Sequence, residues 1–214
     1  MTHNLNAHQP FNEFLKDFKS RLHHTLHNRA DLNNLSTERG LPPFVLREIL
    51  STNPFSAFVP TSLGGRGGLA SESMAVISAA SYESLPLSLM FGINYALFLQ
   101  SFAKYGVEDI KPSVFDRVLG EQAMGGLMIT EPECGSDALN VQTSHVHELD
   151  EYHIRGTKHW GGLTGWADYW LITARATTAD GKLKRGRHQQ HTQQMVLGEG
   201  DRVESHSITQ NRLV

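Results

Sequence analysis

The sequence predicts an α+β fold in which an α-helical domain, residues 1–122, precedes a smaller β domain, residues 123–184. Two observations carry this prediction. In the first half, apolar residues recur at spacings of three and four, which is typical of amphipathic helices. After Gly120 the apolar runs become short and alternate with polar residues, which indicates strands. Because the two patterns are segregated, we expect consecutive helical and β domains rather than alternating β-α-β units.

Composition narrows the class of protein. The chain has 214 residues, of which 39% are hydrophobic and 19% charged, an ordinary mix for a globular protein. A formal charge of -3 leaves no basic excess for a nucleic-acid backbone, so we expect no nucleic-acid partner. The single cysteine, Cys134, excludes an internal disulfide and a cysteine-rich zinc site. Residues 1–10 are polar and lack the apolar segment of a secretory signal, which predicts a cytoplasmic protein.

Helical signals fill the first half of the chain. One apolar stripe predicts the first helix, and it comprises Phe11, Phe14, Leu15, Phe18, Leu22 and Leu26. Pro42 and Pro43 predict the start of a second helix that runs to Leu50. A third is predicted over 70–83, after the glycine-rich loop 59–68, and Pro112 predicts the start of a short last helix.

One helical stretch, residues 84–103, carries no charge and is long enough to span a bilayer. It also contains Pro86, Gly92, Asn94 and several serines, and no Lys/Arg cluster flanks it. We therefore expect a buried core helix and no membrane span.

The β domain begins with a short strand over 127–129. Alternation over 141–149, a turn at Asp150 and Glu151, and renewed alternation at Tyr152 predict a strand pair, and 169–174 is a further strand. From 185 to 214 neither periodicity persists. We predict an irregular tail there, of non-homologous sequence at the end of a truncated gene product.

The densest polar motif is Thr-Glu-Pro-Glu-Cys-Gly-Ser-Asp at 130–137. Gly135 permits a close backbone approach to a ligand, and successive N–H groups beside Ser136 make a nest for a phosphate. The alternative is an ordinary turn with an Asx cap at Asp137. Cys134 is either a reactive thiol or a small buried filler, and the filler is favoured.

A second motif runs over 156–168 and surrounds Trp160 with glycines. An exposed indole would offer a flat face to a planar cofactor, whereas the ordinary alternative is a tryptophan packed in the core.

Together the motifs resemble the acyl-CoA dehydrogenase family. The joint pattern is Thr-Glu-Pro-x-x-Gly-Ser-Asp at 130–137, Gly-x-Lys-x-Trp at 156–160 and Ala-Asp at 167–168. The loop 59–68, Tyr105-Gly106 and Gly120-Glu121 are also similar to the family. The resemblance covers about 11 to 184.

The resemblance implies an amino-terminal helical domain, a middle domain that is a partial β-barrel or β-sandwich, and FAD between that domain and a carboxy-terminal helical domain. It implies FAD contacts at Leu127, Met128, Ile129, Thr130, Gly135, Ser136, Trp160, Gly161 and Gly162. Thr130 would bond the pyrimidine side of the flavin. Ser136 would serve the pyrophosphate and the thioester substrate.

The sequence departs from the family at two points. The family usually shows Trp-Ile-Thr or Trp-Ile-Ser where this chain has Trp160-Gly161-Gly162, so the hydroxyl near flavin N5 is missing. The catalytic base of the family lies in the carboxy-terminal domain, which we expect to be absent. Glu131 and Glu133 do not match that base, so no catalytic residue is nominated.

The function implied is FAD-dependent α,β-dehydrogenation of a fatty acyl-CoA, with electrons passed to an electron-transfer flavoprotein and a homo-oligomer as the intact form. Two alternatives stay open. The chain is either a catalytically inactive truncated remnant, or part of a flavin monooxygenase or oxidase of the same fold.

Histidine pairs give weaker signals. His145 and His147 share one strand face near His153, and His23 and His27 lie one helical turn apart. A zinc site needs three or four converging ligands. We therefore favour a solvated strand face for the first group and a helix surface for the second, and we predict no metal.

Overall fold

A computed structural model describes residues 9–30, 41–148, 151–177, 193–199, 208–209 and 212–213. Its helices and strands are segregated along the chain, which confirms the α+β class. The helical unit comprises residues 1–103 and 109–123, and the sheet unit comprises residues 104–108 and 124–214.

Six α-helices are described before the sheet, and the first and fourth are each extended by a π-helix; the last two residues of the fifth belong to the sheet unit. The α-helices are α1 (Phe11–His24), α2 (Pro43–Leu50), α3 (Ala70–Glu83), α4 (Leu85–Gly92), α5 (Gln100–Tyr105) and α6 (Lys111–Gly120). The π-helices are Thr25–Arg29 and Ile93–Leu99, and 3-10 turns occupy Pro54–Phe58 and Thr61–Leu63.

Local sequence explains where these helices begin. Pro43 occupies the first turn of α2, where its missing N–H costs no hydrogen bond. The Ser84 hydroxyl accepts a hydrogen bond from the Leu87 amide and caps α4. The loop before α3 needs Gly65, since a Cβ there would lie 2.1 Å from the Val59 carbonyl oxygen.

The core of the helical unit is aromatic. The predicted stripe of α1 is buried at Phe14, Phe18, Leu22 and Leu26, each at most 1% exposed. Phe91 of α4 meets Phe55 edge-on, with ring centroids 5.4 Å apart. Such pairs add to the area that the rings remove from water.

Within the described part of the chain, one helical segment, Leu85–Tyr105, is apolar and long enough to cross a membrane. Half of its most apolar window is buried, and Phe98 and Phe102 are fully enclosed. The core helix of a helical domain passes the same test of length and hydropathy, and the expectation of a buried core helix stays a prediction.

The sheet unit holds one mixed sheet in its described strands. These are β1 (Gly125–Met128), β2 (Ser144–Glu148), β3 (Glu151–Arg155), β4 (Tyr169–Ala176), β5 (Gln193–Glu199), β6 (Ile208–Thr209) and β7 (Arg212–Leu213). Their order is β6-β3-β2-β4-β5-β7, and β1 is parallel to the first half of β4. The central strand β4 is buried from Tyr169 to Ala174, as a strand with neighbours on both edges should be.

The predicted strand pair forms, as an antiparallel ladder of β2 and β3. Of the predicted turn at Asp150 and Glu151, Asp150 lies outside the described residues, and Glu151 is the first residue of β3, where it pairs with Glu148. The prediction that the histidines of β2 face solvent is wrong for His145, which is 4% exposed and edge-on to Tyr152. Alternate residues from Val141 point inward, and His145 has the same parity as the buried Val141 and Thr143.

The tail also differs from its prediction. Gln193–Glu199 is a strand whose whole length pairs antiparallel with β4, so these residues are not irregular. Strand pairing uses backbone groups, which polar and apolar sequences share, and composition therefore did not reveal it. Residues 185–192 and 200–207 lie outside the described residues.

Candidate functional site

The first motif forms a tight turn immediately after β1. Glu131 and Cys134 exchange backbone hydrogen bonds of 3.0 and 3.2 Å around Pro132 and Glu133. Cys134 is 7% exposed, and its thiol donates to the Asn140 carbonyl at 3.2 Å, which fits the predicted small filler. Gly135 and Ser136 follow on the surface.

The predicted Asx cap at Asp137 is wrong, because its carboxylate accepts no backbone hydrogen bond as a cap. The carboxylate instead accepts from the side-chain amide of Asn140 at 2.6 Å. The backbone still makes a short 3-10 turn over Ala138–Asn140. Side-chain pairing with Asn140 has replaced the competing side-chain-to-backbone bond.

A buried ion pair fastens the two motifs together. The Lys158 ammonium lies 2.9 Å from the Glu131 carboxylate, and both side chains are less than a tenth exposed. The ammonium also donates to the Ile129 carbonyl at 2.9 Å and to the Thr173 hydroxyl at 3.1 Å. One cation therefore ties the first motif to β4 as well as to its own segment.

Backbone donors complete the environment of Glu131. Its carboxylate also accepts from the amides of Gln142 and Thr143. Burial alone would raise the pKa of Glu131, but the hydrogen bonds from Lys158 and from these amides outweigh burial and lower that pKa to about 2. Burial lowers the pKa of Lys158, and the carboxylate opposes that shift. Glu131 is thus an ionised brace at neutral pH and is not available to take up a proton.

The two motifs adjoin through the backbone too. The His159 amide donates to the Thr130 carbonyl at 2.8 Å. A Cβ added at Gly161 would lie 3.1 Å from the Met128 side chain. The structure therefore brings residues 127–131 against 158–161.

Trp160 is the exposed aromatic residue of this site. It is 85% exposed and has a φ of +64°. A bulky residue rarely adopts this left-handed conformation, because its Cβ crowds the backbone, and such strain tends to occur at functional sites. The packed-core alternative is wrong for Trp160. It applies to Trp170, which is 4% exposed.

The glycines after Trp160 form a second turn. The Thr164 amide and hydroxyl both donate to the Gly161 carbonyl, at 3.1 and 2.7 Å. A Cβ at Gly161 would lie 2.7 Å from that hydroxyl, so a larger residue requires the threonine to move. Gly162 is exposed beside it.

The predicted cofactor residues thus fall into three groups by burial. Met128 is buried, and Leu127, Ile129, Thr130 and Gly161 are half-buried. The exposed members are Gly135, Ser136, Trp160 and Gly162. A planar ligand at this site would meet a firm inner wall and an accessible outer rim.

Sequence reasoning missed the residues that hold the site in place. Lys158 and Glu131 were visible as members of the two motifs, but not as partners. Asp168 was visible as part of the Ala-Asp pair, and its carboxylate accepts from the Met124 amide at 2.9 Å. The available signal was a lone charge beside a predicted buried strand, since such a charge needs a partner.

Known proteins are similar to this chain in sequence and in fold. A family model described as acyl-CoA dehydrogenase, middle domain, matches residues 126–207. This match spans the candidate site and extends beyond Lys184, where the sequence predicts that the resemblance ends. Benzylmalonyl-CoA dehydrogenase of Aromatoleum aromaticum is 28% identical over 142 residues, 66% of this chain and 38% of that protein.

The mitochondrial very long-chain specific acyl-CoA dehydrogenase of Rattus norvegicus is 26% identical over 137 residues, 63% of this chain and 21% of that protein. The crystal structure of an acyl-CoA dehydrogenase from Geobacillus kaustophilus matches 95% of this chain and 56% of its own, with a TM-score of 0.74 at 18% identity. This chain therefore has the fold of the solved acyl-CoA dehydrogenase, and it spans well under half of the length of the two curated relatives.

Proposed function

We propose that the sheet unit of this chain holds FAD for the α,β-dehydrogenation of a fatty acyl-CoA thioester. The premise is that the chain belongs to the acyl-CoA dehydrogenase family. The observation that carries the proposal is Trp160. This indole is exposed and held in a strained conformation beside a glycine turn, and a buried ion pair joins Lys158 of its own segment to Glu131 of the first motif. The left-handed backbone and the exposed ring cost free energy, and packing of the indole on a planar ligand would offset that cost.

The donors and surfaces present fit FAD. Trp160 and the glycine turn after it would cover one part of the flavin, and Thr130 would bond its pyrimidine side. Ser136, with the exposed backbone of Gly135, would receive the pyrophosphate and the thioester, because N–H groups in a turn form an anion nest. When bound, FAD supplies the acceptor for the hydride that leaves the β carbon.

Removal of the α proton requires a base, and Glu131 does not supply it. Glu131 is locked to Lys158 and ionised far below neutral pH. We therefore propose that Glu131 positions the FAD wall, and that the base belongs to another part of the active enzyme. An acyl-CoA substrate, an electron-transfer flavoprotein and a homo-oligomeric form follow from the same proposal, and the cytoplasmic location stays a prediction.

A visible spectrum of the purified full chain, with and without added FAD, tests the proposal. We expect flavin bands that remain after gel filtration, or saturable quenching of FAD fluorescence on titration. Trp160→Ala should weaken FAD binding about two- to tenfold through lost stacking. Trp166→Phe is the matched control, since Trp166 lies in the same loop but is half-buried.

A colourless chain that does not change FAD fluorescence would overturn the FAD assignment and favour the inactive alternative. Equal affinities for the two tryptophan variants would also contradict the role of Trp160.

A further inference from the structure

A second cluster of chemically active side chains lies in the helical unit, apart from the proposed FAD site. The His23 Nδ1 atom is 3.3 Å from one Glu83 carboxylate oxygen, and the His27 Nε2 atom is 2.6 Å from the other. All three ligand atoms lie within 4.8 Å of one another. Among the described residues this is the one group of three or more such side chains that could hold a metal ion.

The backbone explains why these residues converge. His23 lies in the last turn of α1, and His27 lies four residues later in the π-helix Thr25–Arg29. Residues four apart on a helix share a face, and the two imidazoles stack with centroids 4.4 Å apart. Glu83 is the last residue of α3, which packs against α1. The π-helix is a second signal, because such turns are rare and frequently mark functional sites.

The donor set suits a transition metal. Neutral imidazole nitrogens together with one carboxylate are a recurring ligand set for Zn²⁺ and related divalent ions. Bonds of about 2.0 to 2.1 Å in a tetrahedral arrangement put neighbouring ligand atoms about 3.3 Å apart. The His23 to Glu83 distance already has this value, so modest side-chain rotations would complete the site.

The surroundings leave room for a fourth ligand. A cavity of about 810 Å³ lies beside the cluster, and His23 and Glu83 line it. Glu83 is at the carboxyl end of α3, where the helix dipole favours a cation. Lys19 lines the same cavity and opposes a cation, but its side chain is exposed and can extend into solvent.

We propose that His23, His27 and Glu83 form a binding site for a divalent transition-metal ion of the zinc class, with water or a small anion in the remaining position. The ion would join α1 to α3. The same nitrogen and oxygen atoms lie within hydrogen-bond distance of one another, at 3.3 Å for His23 and 2.6 Å for His27, so an imidazole N–H that donates to the carboxylate would compete with the ion.

Zinc titration of the tag-free, metal-free full chain near pH 7.5 tests the site. The chain has twelve histidines, so the decisive quantity is the number of zinc ions lost in each variant. We expect His27→Ala, His23→Ala and Glu83→Gln each to remove one site or weaken it about tenfold or more. Zinc should also raise the thermal midpoint of helical circular dichroism by about 5 °C or more.

His24→Ala is the matched control. His24 is exposed on the same helix and pairs with Asn28 instead of Glu83, so this variant should retain zinc affinity and the thermal shift. Circular dichroism without metal verifies that each variant folds. Equal zinc stoichiometry together with equal zinc affinity in His27→Ala and His24→Ala overturns the proposal. A wild-type chain that binds no zinc, and whose thermal midpoint changes with pH but not with zinc, also overturns the proposal, since the cluster would then bind only protons.

Discussion

The helical unit and the sheet unit each join a carboxylate to basic groups from another segment, but they do so in opposite environments. Glu131 and Lys158 are both enclosed, and backbone amides and carbonyls surround them. Glu83 meets two imidazoles that are 64% and 39% exposed. The buried pair has no freedom to exchange partners and fastens loops in place. The exposed cluster can exchange a proton for an ion, which is the basis for assigning it a binding role.

Removal of one partner of the buried Glu131–Lys158 ion pair should have the largest effect on stability. Lys158→Ala leaves the Glu131 carboxylate enclosed without its cation, so we expect a loss of about 3–5 kcal/mol in the free energy of unfolding. The three tryptophans of the chain lie in the sheet unit, so their fluorescence during urea denaturation follows that unit. The double variant Glu131→Leu/Lys158→Met should recover much of the loss, and a single variant as stable as wild type would contradict the brace.

The second-largest expected effect is the loss of sheet-unit stability at low pH. The pKa of Glu131 is lowered from 4.5 to about 2, so its stabilisation is present above pH 4.5 and is lost as the pH falls towards 2. The shift corresponds to about 3 kcal/mol. We expect a fall in sheet-unit stability across this range, measured by tryptophan fluorescence in urea at stepped pH. Glu131→Gln should flatten the profile, and a wild-type profile as flat as that of the variant would refute the assignment.

Trp160 sharpens the comparison, because it is exposed although it lies beside the buried pair. Trp160→Gly should increase the free energy of unfolding by about 1 kcal/mol, since glycine adopts a positive φ without strain. The same variant should bind FAD more weakly. Trp170→Gly is the contrasting change, because it removes a buried ring and should destabilise the sheet unit severely. A destabilised Trp160→Gly would show that the left-handed backbone carries no strain.

A substitution in the exposed cluster of His23, His27 and Glu83 should have the smallest effect on stability. Without metal at neutral pH, Glu83→Gln should change the free energy of unfolding by less than about 1 kcal/mol, because partly exposed pairs contribute little. Helical circular dichroism during urea denaturation measures this. A loss as large as that of Lys158→Ala would mean that the cluster is a structural brace and not an exchangeable site.

Local signals predicted most of the helical unit. The third helix is predicted over 70–83 and found as Ala70–Glu83, and the first apolar stripe is buried as expected. The two π-helices were not predicted, since a π-turn differs from an α-turn by one residue and leaves the apolar spacing almost unchanged. In the site, the motif residues were identifiable, but the left-handed backbone of Trp160 and the partner of Glu131 were not.

The sequence by itself determined the α+β order, the apolar faces of the helices and the two motifs of the proposed FAD site, because these depend on neighbours a few residues apart. Only the tertiary structure decided which charges meet. It enclosed Lys158 with Glu131 across 27 positions and brought Glu83 to His27 across 56. Such pairs depend on how distant segments pack, and the exposure that follows from packing separates a rigid brace from a site that can exchange its ligand.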